Sequence, residues 1–298
     1  MPHRGRNEIV NTSPLVRWEA RGREILPALD RVPRVMGIVN LTPDSFSDGG
    51  LNVHRDAAVA HARRLAALGV DILDLGGESS RPGAEPVALE EELRRVIPVV
   101  EILAGEMSIP ISIDTTKAEV ARQALKAGAS IINDISALGF DPAMAAVAAD
   151  QGAGVVLMHM RGTPATMQMD MQYNDVVTEV YDFLARRIDW TLDQGIPRER
   201  IAIDPGIGFA KTDKHSFEIL RSLRRFESLE CAILIGTSRK GFLGKITGRS
   251  VVERATASAV SSLAACLNGA RVVRVHDVAP MVDTIKVWTV LQGWGASP

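Results

Sequence analysis

The chain has 298 residues, 46% hydrophobic and 23% charged, a composition that supports a large core and suits a single α/β barrel in length. Its 34 basic and 36 acidic residues leave a formal charge of −2, which argues against a general nucleic-acid or membrane-surface binder while leaving room for a local cationic pocket. No run approaches the ~18 apolar residues of a membrane-spanning helix, and residues 1–12 lack the apolar core of a signal peptide, so the cytoplasm is the expected compartment.

In chain order, residues 1–13 are polar and are expected to form a flexible tail, and residues 14–298 a single domain. Residues 15–26 read as a short β-hairpin turning at Arg21-Gly22, placed to cover the bottom of a barrel. Eight apolar runs then recur, at 35–40, 72–76, 111–114, 131–135, 155–158, 201–204, 232–236 and 272–275. They are rich in Val, Ile and Leu with little alternation, as in strands buried on both faces of a parallel sheet. Helical spacing fills the gaps at 56–68, 89–103, 117–127, 142–150, 176–194, 215–226, 251–267 and 282–291, several of them stopped by Gly. Eight alternating units predict an α/β fold, a (β/α)8 TIM barrel, over the alternative of a doubly wound sheet. Cys231 and Cys266 lie in apolar stretches and read as two buried thiols rather than a disulfide or metal pair.

In such a barrel the chemistry sits at the C-terminal ends of the strands. There the sequence places Asn40, then Gly76-Gly77-Glu78-Ser79-Ser80-Arg81-Pro82-Gly83, Asp114, Asn133-Asp134, His159, Asp204-Pro205-Gly206, Ser238-Arg239-Lys240, and Arg274 with His276-Asp277. One such group could simply satisfy a backbone amide. Eight polar strand ends converging on one mouth find their partners most readily in a polar ligand. Asp114, Asn133 and Asp204 suit the N–H edge of a flat heterocycle, and Lys240, Arg274, His276 and Arg81 supply positive charge for phosphate. The mouth therefore fits a phosphorylated heterocycle. The loops after the first two strands are rich in Gly, Ser and Pro and read as lids. Gly206-x-Gly208 is no Rossmann fingerprint, and the stretch ending Ala210-Lys211-Thr212 lacks the Gly that a Walker A loop requires before Lys. His215 reads as a surface residue at a helix start, and Trp288 and Trp294 as packing residues.

Residues 36–50, MGIVNLTPDSFSDGG, resemble the signature opening of the dihydropteroate synthases, and GGESSRPG at 76–83 resembles their second loop. Ser112-Ile113-Asp114-Thr115, Asn133-Asp134, Leu157-Met158-His159-Met160, DPGIGF at 204–209, Ser238-Arg239-Lys240 and Arg274-Val275-His276-Asp277 come after them in family order, over about residues 16–292. The resemblance implies that 4-aminobenzoate attacks the exocyclic methylene of 7,8-dihydropterin-6-ylmethyl diphosphate, giving 7,8-dihydropteroate and diphosphate in folate biosynthesis. It also implies Mg²⁺ as cofactor, a homodimer, small-molecule substrates rather than nucleic acid or membrane, and a target of sulfonamides. By matching position it implies a catalytic set of Lys240, Arg274, His276, Asp44 and Arg81. The pterin falls to Asp114, Asn133, Met158, Asp204, Phe209 and Lys240, and the diphosphate to Asn40, Arg81, Arg274 and His276. The aminobenzoate falls to Phe46, Ser80, Pro82 and Ser238, with Phe209 and Lys240 beside it, and the metal to Asn40.

The chain departs from the family pattern at Ser80, where Thr is common, at Ala210, where Gly is frequent, and at Gly241. Ala210 should matter little unless its backbone needs a positive φ. Two other readings stay open: a non-catalytic pterin-binding paralogue that has kept these motifs, and a barrel like the methyltetrahydrofolate methyltransferases, which needs no diphosphate clamp.

Overall fold

The computed structural model describes residues 16–42 and 51–294. Asp44, Phe46 and the polar tail lie outside the described residues. The chain opens with a hairpin, β1 (Trp18–Ala20) and β2 (Arg23–Leu26). Arg21 and Gly22 both take positive φ, 52° and 75°, which matches the twist of a tight two-residue turn. The hairpin covers the N-terminal end of the barrel as expected. The Arg21 N–H donates to Gly152 O at 2.8 Å and Trp18 Nε1 to Arg200 O at 3.2 Å. Trp18, Ala20, Ile25 and Leu26 pack into one buried cluster with the inward residues Met36, Ile72, Ile131, Val156, Ala202 and Val272.

The strands β3 (Arg34–Asn40), β4 (Ile72–Gly76), β5 (Ile111–Asp114), β6 (Ile131–Asp134), β7 (Gly154–Met158), β8 (Ile201–Asp204), β9 (Ala232–Ile235) and β10 (Val272–Val275) form a closed barrel of parallel pairs, with β10 joined to β3. Around them lie α1 (Leu51–Ala67), α2 (Leu89–Glu106), α3 (Ala118–Ala127), α4 (Met144–Gln151), α5 (Val176–Asp193), α6 (Asp213–Arg221), α7 (Gly241–Thr247), α8 (Ala255–Leu267) and α9 (Val278–Leu291). Alternation along each strand divides the core into two. Val35, Leu73, Leu75, Ile113, Val155, Ile203 and Val273 face the helices, while Met36, Ile72, Val156, Ala202 and Val272 face the barrel axis. The same alternation turns Asp74, Asp114, Asn133, Asp204 and Arg274 inward, one layer above the apolar plug.

The helices differ from the sequence reading in places. Residues 215–226 are not one helix: α6 gives way to a 3-10 segment, Leu223–Leu229. The 251–267 helix starts only at Ala255, after a 3-10 turn at Val251–Glu253. The short α7 went unread because two glycines in seven residues give it poor intrinsic propensity. α9 begins at Val278, since Pro280 falls in the first turn, where its missing N–H is tolerated. His215 does stand at a helix start: Thr212 Oγ1 accepts its N–H at 3.2 Å, and its Nδ1 accepts the Thr212 N–H at 3.3 Å. Cys231 and Cys266 are buried and free, and burial pushes both thiols up to about 12.

Candidate active site

The inward polar layer is joined by a single arginine. Arg274, on β10, donates from Nε to Asp74 Oδ2 and from Nη2 to Asp114 Oδ2, both at 2.6 Å. Asn133 Nδ2 lies 3.3 and 3.4 Å from the two Asp74 oxygens. Burial opposes the Arg274 charge, but Asp74 and Asp114 outweigh it and hold the guanidinium above its ordinary range. Burial raises Asp114; Arg274 opposes that, and the neighbouring Asp74 adds to it. The resemblance separates Arg274, for diphosphate, from Asp114 and Asn133, for pterin. The structure places all three in one network.

Asp74 is the site residue that sequence reasoning missed. It is fully buried in the middle of β4, in the run Ile-Leu-Asp-Leu-Gly. A buried carboxylate needs a partner, and the available signal was its position two residues from Ile72, on the inward face.

The second half of the mouth is built on β8 and β9. Asp204 is 7% exposed, and its Oδ1 accepts the Gly206 N–H at 2.7 Å. Burial raises its carboxyl; the Gly206 N–H, Lys240, Lys211 and Arg274 pull the other way. Lys240 Nζ stands 4.2 Å from the centroid of Phe209, a cation–π contact. Met158 is buried at the end of β7. Burial, opposed by Asp204 and reinforced by Arg274, brings Lys240 down to about 8. Its ammonium form is therefore complete below that pH and lost above it. We expect kcat/KM, which reports the free enzyme, to fall as pH rises through about 8. Lys240→Arg keeps a cation that does not titrate and should abolish this limb. The same alkaline limb in Lys240→Arg would assign it to another group.

Three expected groups have different surroundings from those the sequence suggested. His276 is not part of the positive charge: burial, then Arg274 and Arg239, lower it to about 3, so it enters the mouth as a neutral ring. The His276 backbone N–H donates to Ser238 Oγ at 3.1 Å, and the ring Nδ1 lies 3.1 Å from the same oxygen. Ser238, 5% exposed, thus supports His276. His159 is 3% exposed and bonded to Lys211 instead of lining the mouth. Two further polar ends serve the framework: Asp134 accepts the Ser136 N–H at 2.7 Å, and Asp277 pairs with Arg239 at 2.6 Å.

Asn40 closes β3, half-exposed beside Gly76. Ser80 is half-buried, and Arg81 and Pro82 are exposed on the second loop. The base of this loop is fixed: Glu78 Oε2 accepts Lys117 Nζ at 2.6 Å and the Val87 N–H at 2.8 Å, and Lys117 also pairs with the buried Glu92 at 2.5 Å. Its far side leans on the loop after β7 through the Gly83 N–H to Pro164 O, 3.0 Å.

Of the departures, a Cβ at Gly241 would meet nothing within 4 Å, so a larger residue there costs no packing. Ala210 does have positive φ, 49°, and is 1% exposed. The left-handed conformation costs about 1–2 kcal/mol, against which stand a buried methyl and a less flexible unfolded chain, together of similar size. Ala210→Gly should therefore change stability by less than about 1 kcal/mol in urea melts. A change above about 2 kcal/mol would mean that one of those contributions dominates.

The sequence profile of the pterin binding enzymes matches residues 36–276. A dihydropteroate synthase of Synechocystis is 47% identical over 254 residues, spanning 85% of this chain and 88% of that protein. The structure of the Xanthomonas albilineans dihydropteroate synthase with 4-aminobenzoic acid is 46% identical, with a TM-score of 0.86, covering 96% of this chain and all of the other. The same enzyme in complex with 7,8-dihydropteroate gives a TM-score of 0.82 at 44% identity, covering 95% and 100%. The profile runs from within β3 to the end of β10, and together with these relatives it places this chain in the pterin binding enzymes, as a member of the dihydropteroate synthases.

Proposed function

We propose that the chain joins 4-aminobenzoate to 7,8-dihydropterin-6-ylmethyl diphosphate, forming 7,8-dihydropteroate and releasing diphosphate. The observation that carries this reading is the inward layer itself: Asp74, Asp114, Asn133 and Asp204 with Arg274 and Lys240 at one barrel mouth. The relatives are structures bound to the nucleophile and to the product of this reaction.

In the reaction the aminobenzoate nitrogen forms a bond to the methylene carbon while the bond from that carbon to the diphosphate oxygen breaks. The nitrogen then loses a proton to solvent. Asp114, Asn133 and Asp204 hold the pterin by its N–H edge, against Met158 and Phe209. Buried carboxylates beside a ring that gains positive character as its diphosphate leaves stabilise that charge. Arg274, Lys240 and the neutral His276 face the departing diphosphate as donors. Ser80, Pro82 and Phe209 border the aminobenzoate, and Arg81 approaches the diphosphate from the second loop. Nothing in this scheme needs a covalent nucleophile; placement and electrostatics suffice.

Among the described residues no group of three His, Cys, Asp or Glu could hold a metal. Asn40 would hold the ion by one amide oxygen, with the diphosphate oxygens and water, which Mg²⁺ retains readily, supplying the rest. When bound there, Mg²⁺ would neutralise charge on the leaving diphosphate.

The reading extends to a homodimer, supported by exposed apolar residues on α8 and α9: Val260, Leu267, Val287, Val290 and Leu291. Sedimentation that returns a monomer would remove it. No helix among the described residues is long and apolar enough to cross a membrane. Two free buried thiols support a reducing, cytoplasmic setting.

The experiment is diphosphate release by the purified protein with the pterin diphosphate and Mg²⁺, with and without 4-aminobenzoate. Release that depends on aminobenzoate and yields dihydropteroate supports the proposal. Pterin binding by calorimetry with no release overturns it in favour of a non-catalytic pterin binder.

A further inference from the structure

We propose that Lys211 is a positioning residue of this reaction: its ammonium stitches the turn after β8 to the end of β7 and thereby fixes Phe209 for the aminobenzoate ring. The proposal rests on the placement of Phe209 beside that substrate given above.

The turn is unusual in its backbone. Gly206, Gly208 and Ala210 take φ of 72°, 78° and 49°, so every second residue is left-handed. The chain thereby folds back on itself, the Phe209 N–H donating to Gly206 O at 3.1 Å. Lys211 is 5% exposed, and its side chain turns away from solvent toward the seam between this turn and β7. Three acceptors meet it there: His159 Nδ1 at 2.8 Å, His159 O at 3.3 Å and Phe209 O at 3.0 Å. An ammonium has three N–H groups and no acceptor, which matches this set. His159 fits the role of acceptor, because burial, then Lys211 and Arg161, lower it to about 2 and leave the ring neutral. Its ring is in turn held edge-on by Phe183, with centroids 4.8 Å apart.

Satisfying two carbonyls would not by itself require a lysine. Burial, opposed by Asp204 and reinforced by Lys240 and Arg161, brings Lys211 down to about 7, so the stitch is an ammonium at and below neutral pH and loosens above it. What the stitch achieves lies at its other end. Phe209 O is tied down, and the Phe209 ring then meets the Lys240 ammonium, whose Cδ also comes within 3.4 Å of where a Gly208 Cβ would lie. Phe209 and Lys240 are thus placed against each other by a contact made outside the mouth. The pterin also rests on Phe209, but its acceptors Asp114 and Asn133 sit on strands that Lys211 does not touch; only Asp204, whose backbone O accepts the His159 N–H at 2.9 Å, is joined to the stitch, so the pterin keeps most of its anchors.

The test is Lys211→Met, which keeps the length and apolar stem and removes the three donors. With Phe209 released, KM for 4-aminobenzoate should rise about tenfold, with kcat reduced less and the Kd for the pterin diphosphate by calorimetry moving less than about threefold. Lys211→Arg, which keeps a cation and donors, should recover most of the KM. A residue that merely stabilises the fold would lower Tm without separating the two substrates. The proposal fails if folded Lys211→Met leaves the aminobenzoate KM within about twofold, or if both substrates weaken alike. Should Lys211→Met not melt cooperatively, Lys211→Gln, which retains an amide N–H for one carbonyl, is read by the same two constants and the same criteria. Phe209→Ala separates the two layers of the argument. An unchanged aminobenzoate KM in Phe209→Ala removes the placement of Phe209, and the role of Lys211 falls with it. A raised KM there with no effect in Lys211→Met removes the role of Lys211 alone.

Discussion

Arg274→Met is expected to lower kcat/KM about a thousandfold and stability by about 3 kcal/mol. Both effects come from the two 2.6 Å bonds that this side chain makes to Asp74 and Asp114. Removing one partner of a buried ion pair typically costs about 3–5 kcal/mol, and Arg274 keeps 21% of its side-chain exposure, which places the loss at the low end. The variant leaves two buried carboxylates facing each other without a cation. Asp114, which burial and Asp74 already raise, loses the cation that opposed them and lies further above its unfolded value, so the folded state binds more protons than the unfolded one. Stability then falls as pH rises. Urea melts should therefore show a smaller loss in mild acid than at alkaline pH.

Asp74→Asn added to Arg274→Met removes one of the two charges and should restore part of the stability while leaving turnover absent. That combination separates the two roles. Stability without activity assigns the guanidinium to the chemistry, whereas activity regained in the double variant would show that Arg274 serves only to neutralise Asp74.

The barrel was legible because its strands are short, apolar and end at polar groups. The runs 72–76, 111–114, 201–204 and 272–275 have the same limits as β4, β5, β8 and β10. Burial on both faces leaves few other readings for such a segment. The site was legible at strand ends and not within strands. Asp114, Asn133 and Asp204 lie at or beside the last residue, where the architecture directs attention, while Asp74 lies two residues earlier and reads as an isolated polar residue. Only the closed barrel shows that β10 places Arg274 against it.

Charge states were the least legible feature. His276 counts as a cation by residue type, and its neutrality comes from burial beside Arg274 and Arg239, neither of which is visible as a neighbour before folding. Lys211 reads in sequence as a motif residue after Phe209 and Ala210. Its inward turn depends on a backbone with three positive φ values, of which only the two glycines announce themselves. Ala210 shows how a local departure can conceal the same conformation.

Gly206→Ala is expected to destabilise the protein by about 3 kcal/mol and to lower kcat/KM about a hundredfold. Two independent effects act at this position. Its φ of 72° costs a residue with a Cβ about 1–2 kcal/mol. The added Cβ would also lie 2.0 Å from His159 O, a backbone oxygen at the end of β7 that cannot swing aside as a flexible side chain could. Relief requires the turn to lift from β7, and this motion acts on the chemistry. The Gly206 N–H leaves Asp204 Oδ1, so the carboxylate loses a bond that favours its charged form. The Lys211 contacts to His159 stretch in the same movement, and Phe209 goes with them.

Gly195→Ala is the matching control. Its φ is 84°, but a Cβ there meets nothing within 4 Å, at the C-terminal end of α5. It should lose about 1–2 kcal/mol from backbone strain alone and keep full kcat/KM. If Gly206→Ala behaved like this control, with a loss of stability and no loss of activity, the turn could move without disturbing Asp204 or Phe209. The coupling between the two substrate sites through this loop would then be absent.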